Sequence, residues 1–386
     1  MHLTRFETFL TNAGLRNYLF LRLTTDTGVT GVGEATLEWQ ERTVQTLCHE
    51  WVERQILGRD PFDIEAIVGG MIRDQYQGGA TVMTAISGVE IALWDIVGKA
   101  CGQPVYKLLG GRCHDRIQAY ANGWYGGART PAQFAEKARA AVALGYRALK
   151  FDPFGTAWKD LTAEESATAI AIVEAVRDAV GPKVGLMIEI HGRLSASSAI
   201  DIIRKLERFE PAWCEEPVVP ESLDLLAEVR RSVRAPISAG ERLYTLADFA
   251  RLTSLRAVDV VQPDLAHCGG ISMGKKIAAL AAVRDIRVAP HVSIGPVALA
   301  AALHFDLSTP NFMVQEDFSA FDVPWRSDLV CGWNPSKQGE FVLPEKPGLG
   351  LELNEAAIQA HPYVKHAFPS LWDKEWLTKF KQDKSQ

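Results

Sequence analysis

Three glutamates stand at equal intervals in the middle of the chain: Glu189 in GLMIEIHGR, Glu215 in AWCEEPV and Glu241 in ISAGERL, each 26 positions from the next. Each follows a short apolar run, and the intervening segments carry helical periodicity. The pattern suits three successive strand–helix units with a carboxylate at the C-terminal end of each strand. Three carboxylates brought to one place repel one another strongly unless a cation lies between them. Ligation by oxygen alone, without cysteine, favours a hard ion such as Mg²⁺, which keeps positions open for substrate oxygens. Glu189, Glu215 and Glu241 are therefore read as a metal site. The bland alternative is that two of them form ion pairs with Arg193 or Arg242. Glu216 points to the opposite side of its strand from Glu215 and is the poorer ligand.

Other chemistry-bearing residues fall at similar places. Lys150 and Asp152, His191, Asp264, His291 and Glu316 sit with the three glutamates at the ends of seven successive apolar runs. Any one of them alone reads as a solvated loop charge, or as a core histidine satisfied by a neighbour. Together they form a set that a water-facing surface does not require. Asp264 and His291 end adjacent strands, so the acid can orient the imidazole and stabilise the imidazolium formed on proton uptake, which makes His291 a general base. His191 follows Glu189 by two and shares its face of the strand, placing a second proton-transfer group beside the metal. Lys150 reads either as a charge partner for substrate or as a Schiff-base nucleophile of the aldolase kind.

The elements that must position these groups can be read from the same pattern. From Ile117 onward strand and helix alternate, with eight strand candidates: 117–121, 147–151, 184–189, 212–215, 236–241, 258–264, 287–291 and 312–316. Thr130-Pro131 is an N-cap with proline at the first helical position, and Thr162 with Glu165 forms a capping box. Gly145 and Gly181 sit where helix C-caps belong. This rhythm argues for an α/β fold of the TIM-type (β/α)₈ barrel family, whose active sites lie at the C-terminal ends of the strands. Residues 317–345 lack helical period, so the eighth helix is expected to be missing. Ahead of the barrel, segments 18–24 and 29–35 flank the turn signal Asp26-Thr27-Gly28, and a helical pattern covers 84–96, giving an N-terminal α+β domain over residues 1–113. The barrel is expected over 114–345. A C-terminal segment, 346–386, with Trp372, Trp376 and Phe380 at four-residue spacing, is expected to pack back on the first domain.

The totals exclude several classes. At 386 residues with 47% hydrophobic content the chain can bury a large core, and a net charge of −6 without a basic run gives no reason to expect a nucleic-acid partner. The six cysteines (48, 101, 113, 214, 268 and 331) are scattered without metal or disulfide spacing and read as reduced thiols of a cytoplasmic protein. No run approaches the ~18 apolar residues of a membrane span, and MHLTRFETFL lacks a leader's apolar core.

Several of these stretches resemble a known family. TAISGVEIALWDIVGKACGQPVYKLLGG (84–111), CEEPV (214–218), AGERL (239–243), VQPDLAHCGG (261–270) and PGLGLEL (347–353) are similar, in this order, to the enolase superfamily, mandelate racemase subgroup. The resemblance implies an N-terminal α+β capping domain over a modified (β/α)₇β barrel, and Mg²⁺ bound by Glu189, Glu215 and Glu241. It implies removal of the proton α to a carboxylate, with the metal stabilising the enediolate. In it, His291 and Asp264 map to the base dyad, and Glu316 to the acid that hydrogen-bonds the enediolate. Glu189-Ile190-His191-Gly192-Arg193 is similar to the galactonate-dehydratase-like branch, where the third-strand histidine expels the β-hydroxyl.

Two departures carry information. Most members have aspartate where this chain has Glu189, and the extra methylene must be absorbed. Racemases of the subgroup carry Lys-x-Lys on the second strand, whereas this chain has Lys150-Phe151-Asp152, which tilts against racemisation. The resulting expectation is a Mg²⁺-dependent dehydratase of an aldonate or related sugar acid giving a 2-keto-3-deoxy acid, with Lys150 neutralising the enediolate. An epimerase or lactone cycloisomerase using the same enediolate is the alternative. Substrate contacts are expected from 11–16, 76–79 and 122–125, with Arg16, Trp124 and Tyr125 as candidates that read equally well as surface or packing residues. Self-association, as a homo-oligomer, is expected by analogy with such barrels.

Overall fold

The computed structural model describes residues 1–333, 335–337 and 339–366. The chain opens with an antiparallel sheet of β1 (Leu3–Asn12), β2 (Asn17–Thr25) and β3 (Thr30–Glu34), in that order. The β2–β3 hairpin turns at Gly28, whose φ of 83° is left-handed. Strand β2 shows why this sheet is so apolar. Its alternate residues Leu19, Leu21 and Leu23 pack in the first domain's own core, while Tyr18 and Phe20 join the core of the barrel. A period of two thus presents one strand to two cores at once. Strand β1 escaped the sequence reading because its faces are mostly half-buried or exposed and carry no clean alternation.

Helices α1 (Glu41–Trp51), α2 (Ile64–Asp74) and α3 (Ala80–Ala100) cover this sheet, and a short α4 (Val105–Leu108) leads away. Helix α3 is long and apolar enough to cross a membrane by composition, yet 78% of its most apolar window is buried among the other elements of the fold. It contacts β3, α1 and α2, and the later helix Gly270–Ala282.

The barrel then alternates: β4 (Ile117–Ala121), α5 (Pro131–Ala143), β5 (Ala148–Phe151), α6 (Ala163–Val180), β6 (Gly185–Glu189), α7 (Ala196–Leu206), β7 (Trp213–Glu215), α8 (Leu223–Ser232), β8 (Ile237–Ala239), α9 (Leu246–Ser254), β9 (Val260–Val261), α10 (Gly270–Ala282), β10 (Arg287–Val288), α11 (Pro296–Leu307) and β11 (Gln315–Asp317). All neighbouring pairs from β4 to β10 are parallel, and β11 returns to pair with β4 at Glu316↔Tyr120. A single bridge, Val288↔Phe312, closes the remaining gap. The interior is plugged by buried side chains from six strands or their ends, Tyr120, Met187, Trp213, Val260, Ala289 and Val314. Such a filled barrel leaves the chemistry to its rim.

The helix signals act as read. Thr130 accepts from the Gln133 amide and Thr162 from the Glu165 amide, each in a complete capping box, and Thr245 with Asp248 makes a third. Between β11 and α12 (Glu355–Ala360) the described residues hold four two-residue strands and, as helix, only a 3₁₀ turn at Arg326–Leu329, so the eighth barrel helix is absent there. The end of the described chain meets the first sheet, with the Asn12 amide and the Thr11 hydroxyl both donating to the His361 carbonyl. Trp372, Trp376 and Phe380 lie outside the described residues. All six cysteines are free thiols.

One expectation changes in detail. Strands β8, β9 and β10 stop at Ala239, Val261 and Val288, so Glu241, Asp264 and His291 stand on the loops beyond them.

Candidate active site

Glu189 ends β6 and Glu215 ends β7, and the two are register partners across these strands. Glu215 is in turn the partner of Ser238, so Glu241 lies three residues beyond that register. Equal sequence spacing therefore does not mean equal height. Gly240, at φ 145°, turns the chain so that Glu241 rejoins the other two, and any side chain there would sit 2.9 Å from the backbone of Gln262. One carboxylate oxygen from each of the three glutamates lies within 4.8 Å of the others.

Lys150 rises from β5 into this cluster. Its Nζ is 2.7 Å from both Glu215 and Glu316 and 3.5 Å from Glu189 Oε2. Burial opposes the ammonium, but Glu215 and Glu316 outweigh it and hold Lys150 well above its ordinary range. The same burial raises Glu215 while Lys150 lowers it, with a lower value as the net result. Glu189 differs. Burial and the Glu215 charge push it well above the usual carboxylate range, and its buried Oε2 has no hydrogen-bond partner, with the Lys150 ammonium no nearer than 3.5 Å. A buried carboxylate so placed must keep a proton or gain a countercharge. An all-oxygen set with one unsatisfied atom suits a hard divalent cation, so these residues fit the metal that the sequence implies. The extra methylene of Glu189 is absorbed by folding back: its Oε1 accepts the His191 amide at 2.7 Å.

The two arginines named as competing partners are engaged elsewhere. Arg242 donates to Glu216 Oε2 through Nε at 2.8 Å and reaches Glu241 only at 3.9 Å. Arg193, fully buried, pairs with Asp152. Glu216, just past the end of β7 at a left-handed φ of 40°, gives its carboxylate to Arg242.

His291 and Asp264 do meet. Asp264 Oδ2 takes the His291 Nδ1 at 2.8 Å, which leaves Nε2 toward the cluster, 3.4 Å from Glu241 and 3.8 Å from Glu316. Burial works against the imidazolium, but the charges of Glu241 and Glu316 draw His291 up to about 10; a cation held by the carboxylates would offset those charges and free Nε2 to accept a proton. Asp264 is raised by burial and brought below its usual value by His267 and His291. Glu316 Oε1 accepts from Asn122 Nδ2 at 2.7 Å, and its Oε2 from the Val292 amide at 2.9 Å, so the eighth-strand acid also braces the loop that carries the histidine.

His191 arrives by a different route from the one alternation suggests. Strand β6 has ended, and His191 takes a left-handed φ of 52°. Its Nδ1 lies 2.7 Å from Asp152 Oδ2, and its side chain is 39% exposed. Asp152, buried but offset by Arg193 and His191, sits below its ordinary value. The departure at Lys150-Phe151-Asp152 thus supplies a second His–Asp pair. Sequence reading left Asp152 without a role, and only the loop geometry reveals it. His267 was also missed, although it lies inside the VQPDLAHCGG stretch. Its Nδ1 is 3.4 Å from the same Asp264 oxygen that His291 uses.

Of the residues expected to touch a substrate tail, Trp124 does not fit. It is buried, its Nε1 donates to the Lys150 carbonyl, and its ring packs on Phe134 and Phe151. Tyr125 stacks on Phe134, and Arg16 pairs with Asp322 at 3.4 Å.

Both parts of the chain have counterparts among known proteins. Residues 3–110 match the family model of the mandelate racemase / muconate lactonizing enzyme N-terminal domain, and 133–357 match that of the enolase C-terminal domain-like family. A D-galactonate dehydratase of Xanthomonas campestris pv. campestris is 38% identical over 371 residues, covering 93% of this chain and 94% of that protein. A D-gluconate dehydratase of Thermoproteus tenax is 35% identical over 363 residues, covering 94% of this chain and 73% of that protein. The crystal structure of a mandelate racemase/muconate lactonizing enzyme from Jannaschia sp. CCS1 superposes with a TM-score of 0.87 at 34% identity, over 94% of this chain and 98% of that one. With both domains matched and the rim carboxylates assembled on a capped barrel, the chain belongs to the mandelate racemase subgroup of the enolase superfamily.

Proposed function

We propose that the protein dehydrates an aldonate or related sugar acid to a 2-keto-3-deoxy acid with the aid of a divalent metal, Mg²⁺ by the hardness of its donor set. The observation that carries this reading is the pairing of two histidines, each held by its own aspartate, with a single carboxylate cluster. The similarity to a D-galactonate and a D-gluconate dehydratase supports the substrate class. A cation held by Glu189, Glu215 and Glu241 would supply Lewis-acid stabilisation of the negative charge that develops on the substrate carboxylate.

The protein's own groups divide the proton traffic. His291, fixed through Nδ1 by Asp264, presents Nε2 to the site and takes the proton from C2. Lys150 sets an ammonium against the charge left behind, and Glu316 holds both that lysine and the His291 loop. His191, fixed by Asp152, delivers a proton to the C3 hydroxyl, which leaves as water while the C2–C3 double bond forms. The enol product then ketonises.

Screening acid sugars for semicarbazide-reactive 2-keto acid tests this reading. Formation of the keto acid from an aldonate, lost on treatment with EDTA and regained with Mg²⁺, is the expected result. Isomerised sugar acid without keto acid would point to the epimerase or cycloisomerase chemistry that shares the first step. Reduction with borohydride that fixed substrate on Lys150 would point to an aldolase.

A further inference from the structure

The loop that leaves β3 on the capping domain touches three places around the His291–Asp264 pair. Glu34 Oε1 accepts the Gly295 amide at 2.6 Å and its Oε2 the Ala298 amide at 2.9 Å, at the start of α11. The Thr36 carbonyl meets His267 Nε2 at 2.9 Å, and Glu38 Oε1 accepts from the Ser293 hydroxyl at 3.0 Å. The three targets flank the dyad. Ser293 and Gly295 follow His291, and His267 shares Asp264 Oδ2 with it, at 3.4 Å against 2.8 Å. Asp264 Oδ1 is occupied by the Ala266 amide at 2.8 Å, so the ring of His267 limits where the second oxygen can move. The contacts with Glu34 and His267 are buried, and Thr36 Oγ1 ties the loop to itself by donating to Glu34 Oε1 at 2.9 Å. Gly295 belongs to the same device, because a side chain there would lie 2.4 Å from Glu34 Oε1.

We propose that residues 34–38 of the capping domain clamp the base dyad, and that His267 and Glu34 are positioning residues through which docking of that domain fixes His291 for proton abstraction. The inference rests on the dehydratase reading for its kinetic consequence but not for its structural one. A displacement of about 1 Å at a reacting group can cost on the order of a hundredfold in rate, so a clamp of this kind acts on turnover rather than on binding.

Two measurements test it. With the sugar acid that the wild type dehydrates, His267→Ala is expected to lower kcat by roughly tenfold to a hundredfold, as loss of an outer partner does at other sites, with KM little changed. His267→Gln, which keeps a donor for the Thr36 carbonyl, is expected to recover part of that loss. A KM effect alone, or equal and full kcat in both variants, overturns the proposal. Independently of any substrate, amide hydrogen exchange is compared between wild type and Glu34→Gln. Faster exchange is expected both at 291–298 and in the 264–268 loop, which Glu34 reaches through Thr36 and His267. Faster exchange confined to 295–298 would mean that Glu34 is no more than a helix cap, and the clamp would be wrong. Should no sugar acid be turned over by the wild type, the dehydratase reading fails while the exchange result still decides the clamp.

Discussion

At the scale of residues, the site is a buried excess of carboxylates balanced by Lys150 and offered two imidazoles. Nδ1 of each imidazole is occupied by an aspartate, so each histidine works through Nε2. This pairing predicts how single substitutions divide. His291→Asn removes the group that takes the C2 proton, so both turnover and exchange of the C2 hydrogen with solvent should fall, by about 10²- to 10⁴-fold for loss of a general base. Deuterium uptake at C2 followed by NMR measures this, and retained exchange would contradict the assignment. Asp152→Asn leaves His191 beside Arg193 without its carboxylate, and dehydration should slow while C2 exchange persists. A parallel loss of both would mean that Asp152 serves the whole site rather than His191.

At the scale of elements, the strand ends and the turns after them do different jobs. Register sets Glu189 against Glu215, whereas Glu241, Asp264 and His291 depend on loops. Gly240→Ala should therefore lower metal affinity and kcat more than it lowers Tm, because its new methyl group would press on the Gln262 backbone beside the Glu241 turn. Metal titration by calorimetry against a thermal melt checks the ratio. The same distinction explains what could be read from sequence. Barrel strands, helix caps and the missing eighth helix were legible because apolar runs and capping boxes are local signals. The three glutamates were legible because each follows such a run. The role of Asp152 was not, since His191 reaches it through a left-handed residue after β6 that no alternation rule describes. Trp124 could not be decided because an aromatic residue at a strand end looks the same whether it faces substrate or packs on Phe134, as it does. His267 was hidden because its partners, Asp264 and the Thr36 carbonyl, come from different domains.

At the scale of the whole molecule, two domains with a core each are joined by one strand and a set of polar contacts. Strand β2 contributes to both cores, and capping-domain carboxylates reach the starts of barrel helices: Glu34 at α11, and Glu90 through the Ile271 and Ser272 amides at α10. Burial of His304 between α11 and α4, where its Nδ1 accepts the Tyr106 amide, brings its value down from 6.5 to about 4. Because the folded value is the lower one, the unfolded chain binds the extra proton first. Stability is therefore full above about pH 6.5 and is lost as pH falls toward 4, by about 3 kcal/mol at most. Denaturant melts across that range should show the loss, and His304→Gln should flatten it; an unchanged slope would place the acid sensitivity elsewhere. The central claim, that one histidine takes the C2 proton and the other releases the C3 hydroxyl, is tested most directly in D₂O. His191→Asn, loaded with Mg²⁺ and given the substrate of the wild type, is predicted to exchange the C2 hydrogen for deuterium while forming almost no 2-keto acid. Loss of exchange together with dehydration, or undiminished keto acid, would contradict the account.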